Sequence, residues 1–65
     1  METQFMIPSE TYAEKTKRVL ERAKIRWRAQ RFTAPDGCSY RFTAFAPPAA
    51  IYPLLRAAGI PAQAG

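Results

Sequence analysis

Histidine is absent from this 65-residue chain, and cysteine occurs once, as Cys38. A chain without histidine and with one thiol lacks the ligand sets of the common zinc sites, and it lacks the partners that Ser-His or Cys-His catalysis requires. A single cysteine also excludes a disulfide within the chain. We therefore expect no cofactor and favour a non-enzymatic role, with the Cys38 thiol as the only candidate for covalent chemistry.

Long apolar runs are also missing. No segment approaches the roughly 20 residues of a membrane-spanning helix, and Met1 is followed by an acidic residue instead of a basic and then apolar leader. These absences favour a cytoplasmic protein with no membrane partner. The length and the 48% hydrophobic content predict a single domain over residues 1–65 whose small core is a reason to self-associate.

Glycine occurs 3 times, and one of the three follows Pro35 and Asp36 at a predicted tight turn. Pro35 pre-sets φ, Asp36 suits the polar geometry of a turn, and Gly37 accepts a positive φ. Apolar and polar residues alternate on both sides of this turn, which is typical of strands. The alternating apolar residues are Ile25, Trp27 and Ala29 before the turn and Tyr40, Phe42 and Ala44 after it. The pattern predicts a β-hairpin with Cys38 directly after its turn.

Two registers compete for this hairpin. A three-residue loop would pair Phe32 with Tyr40 and set Arg31 opposite Arg41, where like charges repel. A shift by one residue instead brings the alternating apolar residues of both strands onto one face. We expect the shifted register, with a bulge near the turn. The opposite face would then carry Arg26, Arg28, Gln30, Phe32, Arg41 and Phe45.

The chain before the hairpin predicts a strand and a helix. Residues 3–7 form a short apolar run that Pro8 ends, as a buried strand would. Ser9 or Thr11 can cap the following helix, and Thr11 with Glu14 fits a capping box. Apolar residues then repeat at helical spacing, so this helix has one face for the core.

The chain after the hairpin predicts a second, shorter helix and a last strand. The helix is expected to start near Ala50, so that Pro53 falls in its first turn, and to end at Gly59. Residues 60–64 would form a short edge strand that tolerates Pro61. Residues 20–25 match residues 55–60 as the end of a helix and the start of a strand, which indicates an internal pseudo-repeat.

Strand, helix and strand occurring twice is the βαββαβ order of the split βαβ, or ferredoxin-like, fold. Right-handed crossovers would place both helices on one face of a four-stranded antiparallel sheet. The sequence thus predicts an α+β domain whose sheet has one open face.

Four short motifs follow one another along the chain: Ile7-Pro8-Ser9 leading into a helix, a Leu-x-x-Ala-x-Ile helix exit, a single cysteine delivered into the third strand, and Phe45-Ala46-Pro47-Pro48 before a short helix. In these motifs the chain resembles a family of small bacterial domains described as selenium or sulfur carrier-like proteins. The resemblance covers nearly the whole chain. It implies carriage of sulfur or selenium on Cys38 and a protein partner for the transfer.

This chain departs from the family pattern in two places. The family cysteine is typically followed by glycine, whereas here the order is Gly37-Cys38-Ser39. Lys24 also stands where the first helix of the family usually ends with glycine.

A carrier needs an accessible thiolate, and cationic neighbours favour the thiolate form. We expect Arg41, three residues after Cys38, and Arg31, across the hairpin, to stabilise the thiolate. The alternative is an unreactive thiol that fills space near the end of a strand.

A binding module is the competing class of function. The chain carries 10 Lys and Arg residues against 5 Asp and Glu residues, and the open face would mix Arg26, Arg28 and Arg41 with Phe32 and Phe45. Cationic and stacking groups together are typical of single-stranded nucleic-acid platforms. However, the Lys/Arg-Gly-Phe/Tyr core of the common RNA-recognition motif is absent. We therefore rank a homodimer first, another protein partner second and nucleic acid last.

Overall fold

A computed structural model of the chain describes residues 1–35 and 37–64. In chain order, its elements are β1 (Thr3–Ile7), α1 (Glu10–Arg22), β2 (Trp27–Ala34), β3 (Gly37–Ala44), α2 (Pro48–Ala57) and β4 (Gln63–Ala64). The role predicted for Asp36 in the turn lies outside the described residues, as does Gly65 at the end of the predicted domain.

The α+β class is confirmed, but the predicted four-stranded ferredoxin-like sheet is wrong. The sheet has three full antiparallel strands in the order β1-β3-β2. Where residues 60–64 were expected to form a fourth strand, only β4 pairs with β1, at two positions. The N–H of Ile60 instead caps α2 by donating to Leu55 O, and Pro61 has no N–H to donate.

The hairpin has the shifted register that the sequence favoured. Trp27 pairs with Ala44 and Ala29 pairs with Phe42. The ladder then runs without interruption to the last pair of β2 and β3, so the expected bulge is not part of it. Gly37, in the last pair, has a φ of +138°, a conformation that glycine adopts readily. The predicted apolar residues of the two strands therefore do share one face of the sheet.

Both helices cover this face and bury the core against it. The fully buried side chains of the core are Phe5, Ile7, Ala13, Leu20, Phe42, Ala44, Ile51 and Leu55. Phe5 and Phe42 stack with ring centroids 5.5 Å apart. Ala29, predicted for the core, is exposed because it lies on the outer strand β2. Trp27, on the same strand, is half-buried against Phe42.

The N-terminus of α1 matches one of the two predicted alternatives, whereas the N-terminus of α2 differs from prediction. Ser9 caps α1, because its side chain accepts a hydrogen bond from the N–H of Tyr12 at 3.3 Å. The predicted alternative, a capping box with Thr11 as the N-cap residue, is not formed because Thr11 lies inside the helix. Helix α2 begins at Pro48 instead of near Ala50, which leaves Pro53 in the helix interior.

Both helices end in the same way, as the pseudo-repeat predicted. Ile25 N donates to Leu20 O, and Ile60 N donates to Leu55 O, each at 2.9 Å. This is the Schellman motif, in which a left-handed residue directly precedes the residue whose N–H donates the closing hydrogen bond. The left-handed residue after α2 is Gly59, with a φ of +70°. The matching residue after α1 is Lys24, with a φ of +59°.

Candidate functional site

The structure brings Arg31 and Cys38 together. Arg31 Nη2 donates a hydrogen bond to Cys38 Sγ at 3.4 Å. Arg31 pairs with Tyr40 and Thr33 pairs with Cys38, so Arg31 and Cys38 are diagonal neighbours on the helix-covered face. The hydrogen bond to Cys38, followed by the charges of Cys38 and Tyr40, raises the pKa of the Arg31 guanidinium. A permanent cation therefore lies beside the sulfur.

Arg41, the other predicted thiolate stabiliser, lies on the opposite face of the sheet from Cys38. Its partners in the ladder are Gln30 on β2 and Met6 on β1. Its guanidinium carbon lies over the ring of Phe32, 5.2 Å from the centroid. Side chains three residues apart on a strand point to opposite faces, so Arg41 does not reach the thiol. This part of the prediction is corrected: Arg31 is the arginine that contacts Cys38.

The Cys38 thiol is half-buried at the end of the sheet where α1 begins. It shares a hollow of about 250 Å³ with Pro8, Ala34, Gly37 and Ser39. Pro8 directly precedes the residue that caps α1, and the N-terminus of a helix carries partial positive charge. The carboxylate of Glu10, the first residue of α1, also contributes to the raised pKa of the Arg31 guanidinium.

This neighbourhood of the thiol was not predicted. From the sequence, Cys38 was expected beside a turn, with only the two strands of the hairpin around it. The pairing of Ile7 with Tyr40 brings the β1–α1 connection next to the start of β3. The signal available in the sequence was the Ile7-Pro8-Ser9 segment, whose place in the sheet depends on contacts between distant parts of the chain.

Four of the six residues predicted for the open face are candidate binding residues with exposed or half-exposed side chains: Arg26, Arg28, Phe32 and Phe45. Arg28 lies on β2 with its guanidinium carbon 5.9 Å from the ring centroid of Phe45. Phe32, also on β2, lies under Arg41. Arg26 precedes β2 and is exposed, and its carbonyl accepts a hydrogen bond from Phe45 N at 2.9 Å. The structure therefore brings Arg26 and Arg28 to Phe45, and places Phe32 at the other end of the hairpin.

Residues 1–35 and 37–64 contain neither a cluster of metal ligands nor a membrane-spanning helix. No three His, Cys, Asp or Glu side chains in this part of the chain gather closely enough to hold a metal ion. No helix in it is long and apolar enough to cross a membrane.

Comparisons with known proteins found no match: no family model fits the chain, and no curated protein or solved structure is similar to it. The resemblance to selenium or sulfur carrier-like domains therefore rests on the sequence motifs alone. The chemistry of the site has to be argued from its own residues.

Proposed function

We propose that this protein is a sulfur or selenium carrier that holds its cargo on Cys38. The observation that carries the proposal is the hydrogen bond from Arg31 to the cysteine sulfur, at 3.4 Å. The thiolate is the nucleophilic form of cysteine, and an adjacent guanidinium stabilises the negative charge on the sulfur. Arginine suits this role because its charge persists at every physiological pH.

The proposed reaction is a transfer of sulfane sulfur between thiols. The Cys38 thiolate attacks the outer sulfur of a persulfide on a donor, a new S–S bond forms at Sγ, and the S–S bond of the donor breaks. The electron pair of the broken bond leaves with the donor sulfur as a thiolate, so no external oxidant or reductant is needed. A nucleophilic acceptor then takes the outer sulfur in the same way and Cys38 leaves as the thiolate.

The position of the thiol supports the proposal. Cys38 is half-buried, and the hollow beside it has room for one more atom on the sulfur. It lies at the start of β3, next to the turn. One side of it packs against the core, and its exposed part can be reached by another protein. The Arg31 guanidinium, on the neighbouring strand, is also placed to stabilise the anionic persulfide after transfer.

The proposal is tested by loading and unloading the native protein. Purified protein is incubated with glutathione persulfide, freed of excess donor, and then exposed to a thiol acceptor, with intact mass measured at each stage. We expect a species heavier by one sulfur atom that returns to the original mass with the acceptor and does not form with Cys38→Ser. Loading should be slower with Arg31→Gln than with Arg41→Gln, which removes the same charge from the other face.

A failure to load would overturn the proposal. If Cys38 accepts sulfur only after the protein has been unfolded in denaturant, the thiol is a packing group and not a carrier. Equal loading rates for the two arginine variants would show that the Arg31 guanidinium does not assist the loading of Cys38.

A further inference from the structure

The open face of the sheet has no helix over it in the described part of the chain. We define the open face by the side chains that point away from the helices: Gln4, Met6, Arg28, Gln30, Phe32, Ser39, Arg41, Thr43 and Phe45. None of them is buried, and Phe45 remains 43% exposed. In contrast, the buried residues of the three long strands all point towards α1 and α2. One entire side of a small domain is therefore available to a partner.

Aromatic and cationic groups on the open face follow a line along the hairpin. Phe45 lies at one end with Arg28 beside it, and Phe32 lies at the other end with Arg41 beside it. Gln30 is paired with Arg41 and lies between the two arginine-aromatic pairs. Phe32 pairs with Ser39, which lies six residues before Phe45 in the chain. At the usual rise of a strand, this spacing corresponds to about 20 Å. The open face therefore presents two stacking sites joined by hydrogen-bonding groups.

The charge of the open face selects an anionic partner. The strands β1, β2 and β3 contain no Asp or Glu, so nothing within the sheet neutralises Arg28 and Arg41. A symmetric dimer through this face would bring the same cationic surface of a second copy against it. Such self-contact adds positive charge to a face that already lacks carboxylates, whereas a polyanion would neutralise the arginines.

We propose that the open face binds single-stranded nucleic acid. Unpaired bases expose planar surfaces that stack on aromatic rings and on guanidinium planes, and phosphates accept hydrogen bonds from arginine. An arginine that already lies over a ring keeps its outer plane and its N–H edge free, so it can extend the stack and contact a phosphate together. Duplexes keep their bases stacked inside and cannot use these rings.

Two neighbouring hollows would accommodate the nucleic-acid strand. The larger one, of about 670 Å³, is lined by Arg28 and Phe45 together with Ile25, Arg26 and Trp27. The second is lined by Arg28, Ala29, Gln30, Arg41 and Thr43. They share Arg28, so they lie next to each other along β2. This surface is on the other side of the sheet from Cys38 and does not depend on the carrier proposal.

The proposal is tested by fluorescence anisotropy with labelled oligouridylate and oligothymidylate at low salt. Binding should weaken as salt rises, with a slope of about −0.7 for each phosphate contacted. Phe32→Leu and Phe45→Leu keep apolar bulk while removing the rings, and each should weaken binding by roughly fivefold or more if a base stacks there. Arg28→Gln and Arg41→Gln should each reduce the magnitude of the salt slope by about 0.7. Far-ultraviolet circular dichroism verifies that each variant is folded.

Arg56→Gln is the matched control, because Arg56 lies in the last turn of α2 and its loss lowers the net charge equally. It should leave the affinity for both oligonucleotides nearly unchanged. Polyglutamate and a duplex of the same length are the control ligands, and both should bind more weakly than the single strands.

Three results would overturn the proposal. The first is no binding of either oligonucleotide at low salt. The second is binding that Arg56→Gln weakens as much as Arg28→Gln does while the phenylalanine variants have no effect, since this would be attraction by net charge alone. The third is a dimer by sedimentation velocity that Phe32→Glu converts to monomer and that oligonucleotides do not disturb, since a second copy would then occupy the face.

Discussion

The side chains of Arg31 and Cys38 meet diagonally across the β2–β3 hairpin, with Nη2 donating to Sγ at 3.4 Å. This contact depends on the hairpin register, because a slip by one residue would move Arg31 to the open face. The same register places Arg41 over Phe32 on the far side of the sheet. The two arginines nearest the cysteine in the hairpin therefore have different environments, and their effects are separable by mutation.

Replacing Arg31 by Gln should slow alkylation of Cys38 near neutral pH. The substitution removes the cation beside the sulfur, and surface charge pairs of this kind correspond to roughly a two- to fivefold change in rate. The measurement is the rate of iodoacetamide labelling under native conditions, followed by mass. The difference between wild type and Arg31→Gln should shrink as salt is added, because exposed charges are screened.

Arg41→Gln is the control for this prediction. It removes the same charge from the same hairpin but from the opposite face, so its labelling rate should stay close to that of the wild type. A larger effect from Arg41→Gln than from Arg31→Gln would contradict the assignment of the contacting arginine.

Replacing Lys24 by Gly should stabilise the protein. Lys24 holds a left-handed conformation, φ +59°, in the Schellman motif that ends α1. A residue with a Cβ is strained there by about 1 kcal/mol, whereas glycine adopts this conformation freely. We expect a higher midpoint of urea unfolding, with Lys24→Ala as the control that removes the charge without relieving the strain.

Gly59 provides the reciprocal experiment at the end of α2, where φ is +70°. Gly59→Ala should lower the free energy of unfolding by about 1 kcal/mol, although no atom would clash with the new Cβ. If both the Lys24→Gly and Gly59→Ala variants unfold at the wild-type midpoint, the two helix ends do not have the conformation described here.

Replacing Gly37 by Val should destabilise the protein by more than about 1 kcal/mol. Its φ of +138° is poorly accessible to a β-branched residue, even though the space around the position is open. Ala34→Val is the matched control, because Ala34 pairs with Gly37 across the hairpin and lies in an ordinary strand. An unchanged urea midpoint for Gly37→Val would show that the start of β3 is wrongly assigned.

Local patterns in the sequence predicted the hairpin, its register and the two helices. Alternation with a period of two determined which of Trp27 and Arg28 faces the core, and repulsion between Arg31 and Arg41 excluded the competing register. The same alternation already implied that Cys38 and Arg41 point to opposite faces. The prediction that both arginines serve the thiol considered distance along the chain and neglected the direction of the side chains.

The fourth strand and the surroundings of the thiol depend on contacts that no local pattern encodes. Ile60 belongs to an apolar segment suited to a strand, yet its N–H is used to cap α2, so pairing starts only at Gln63. Pro8 and Glu10 come close to Cys38 and Arg31 because β1 pairs with β3. That pairing joins residues more than thirty positions apart, and only the folded sheet reveals it.

The intact mass of freshly purified protein is the sharpest test of the proposal that Cys38 carries sulfur or selenium. The protein is isolated without reductant, and its mass is measured before and after treatment with a thiol reductant. We expect a fraction of the molecules to be heavier by one sulfur or selenium atom. The reductant should remove this adduct, and the Cys38→Ser variant should never show it. If every wild-type molecule has the unmodified mass and glutathione persulfide fails to load the folded protein, the carrier account is contradicted.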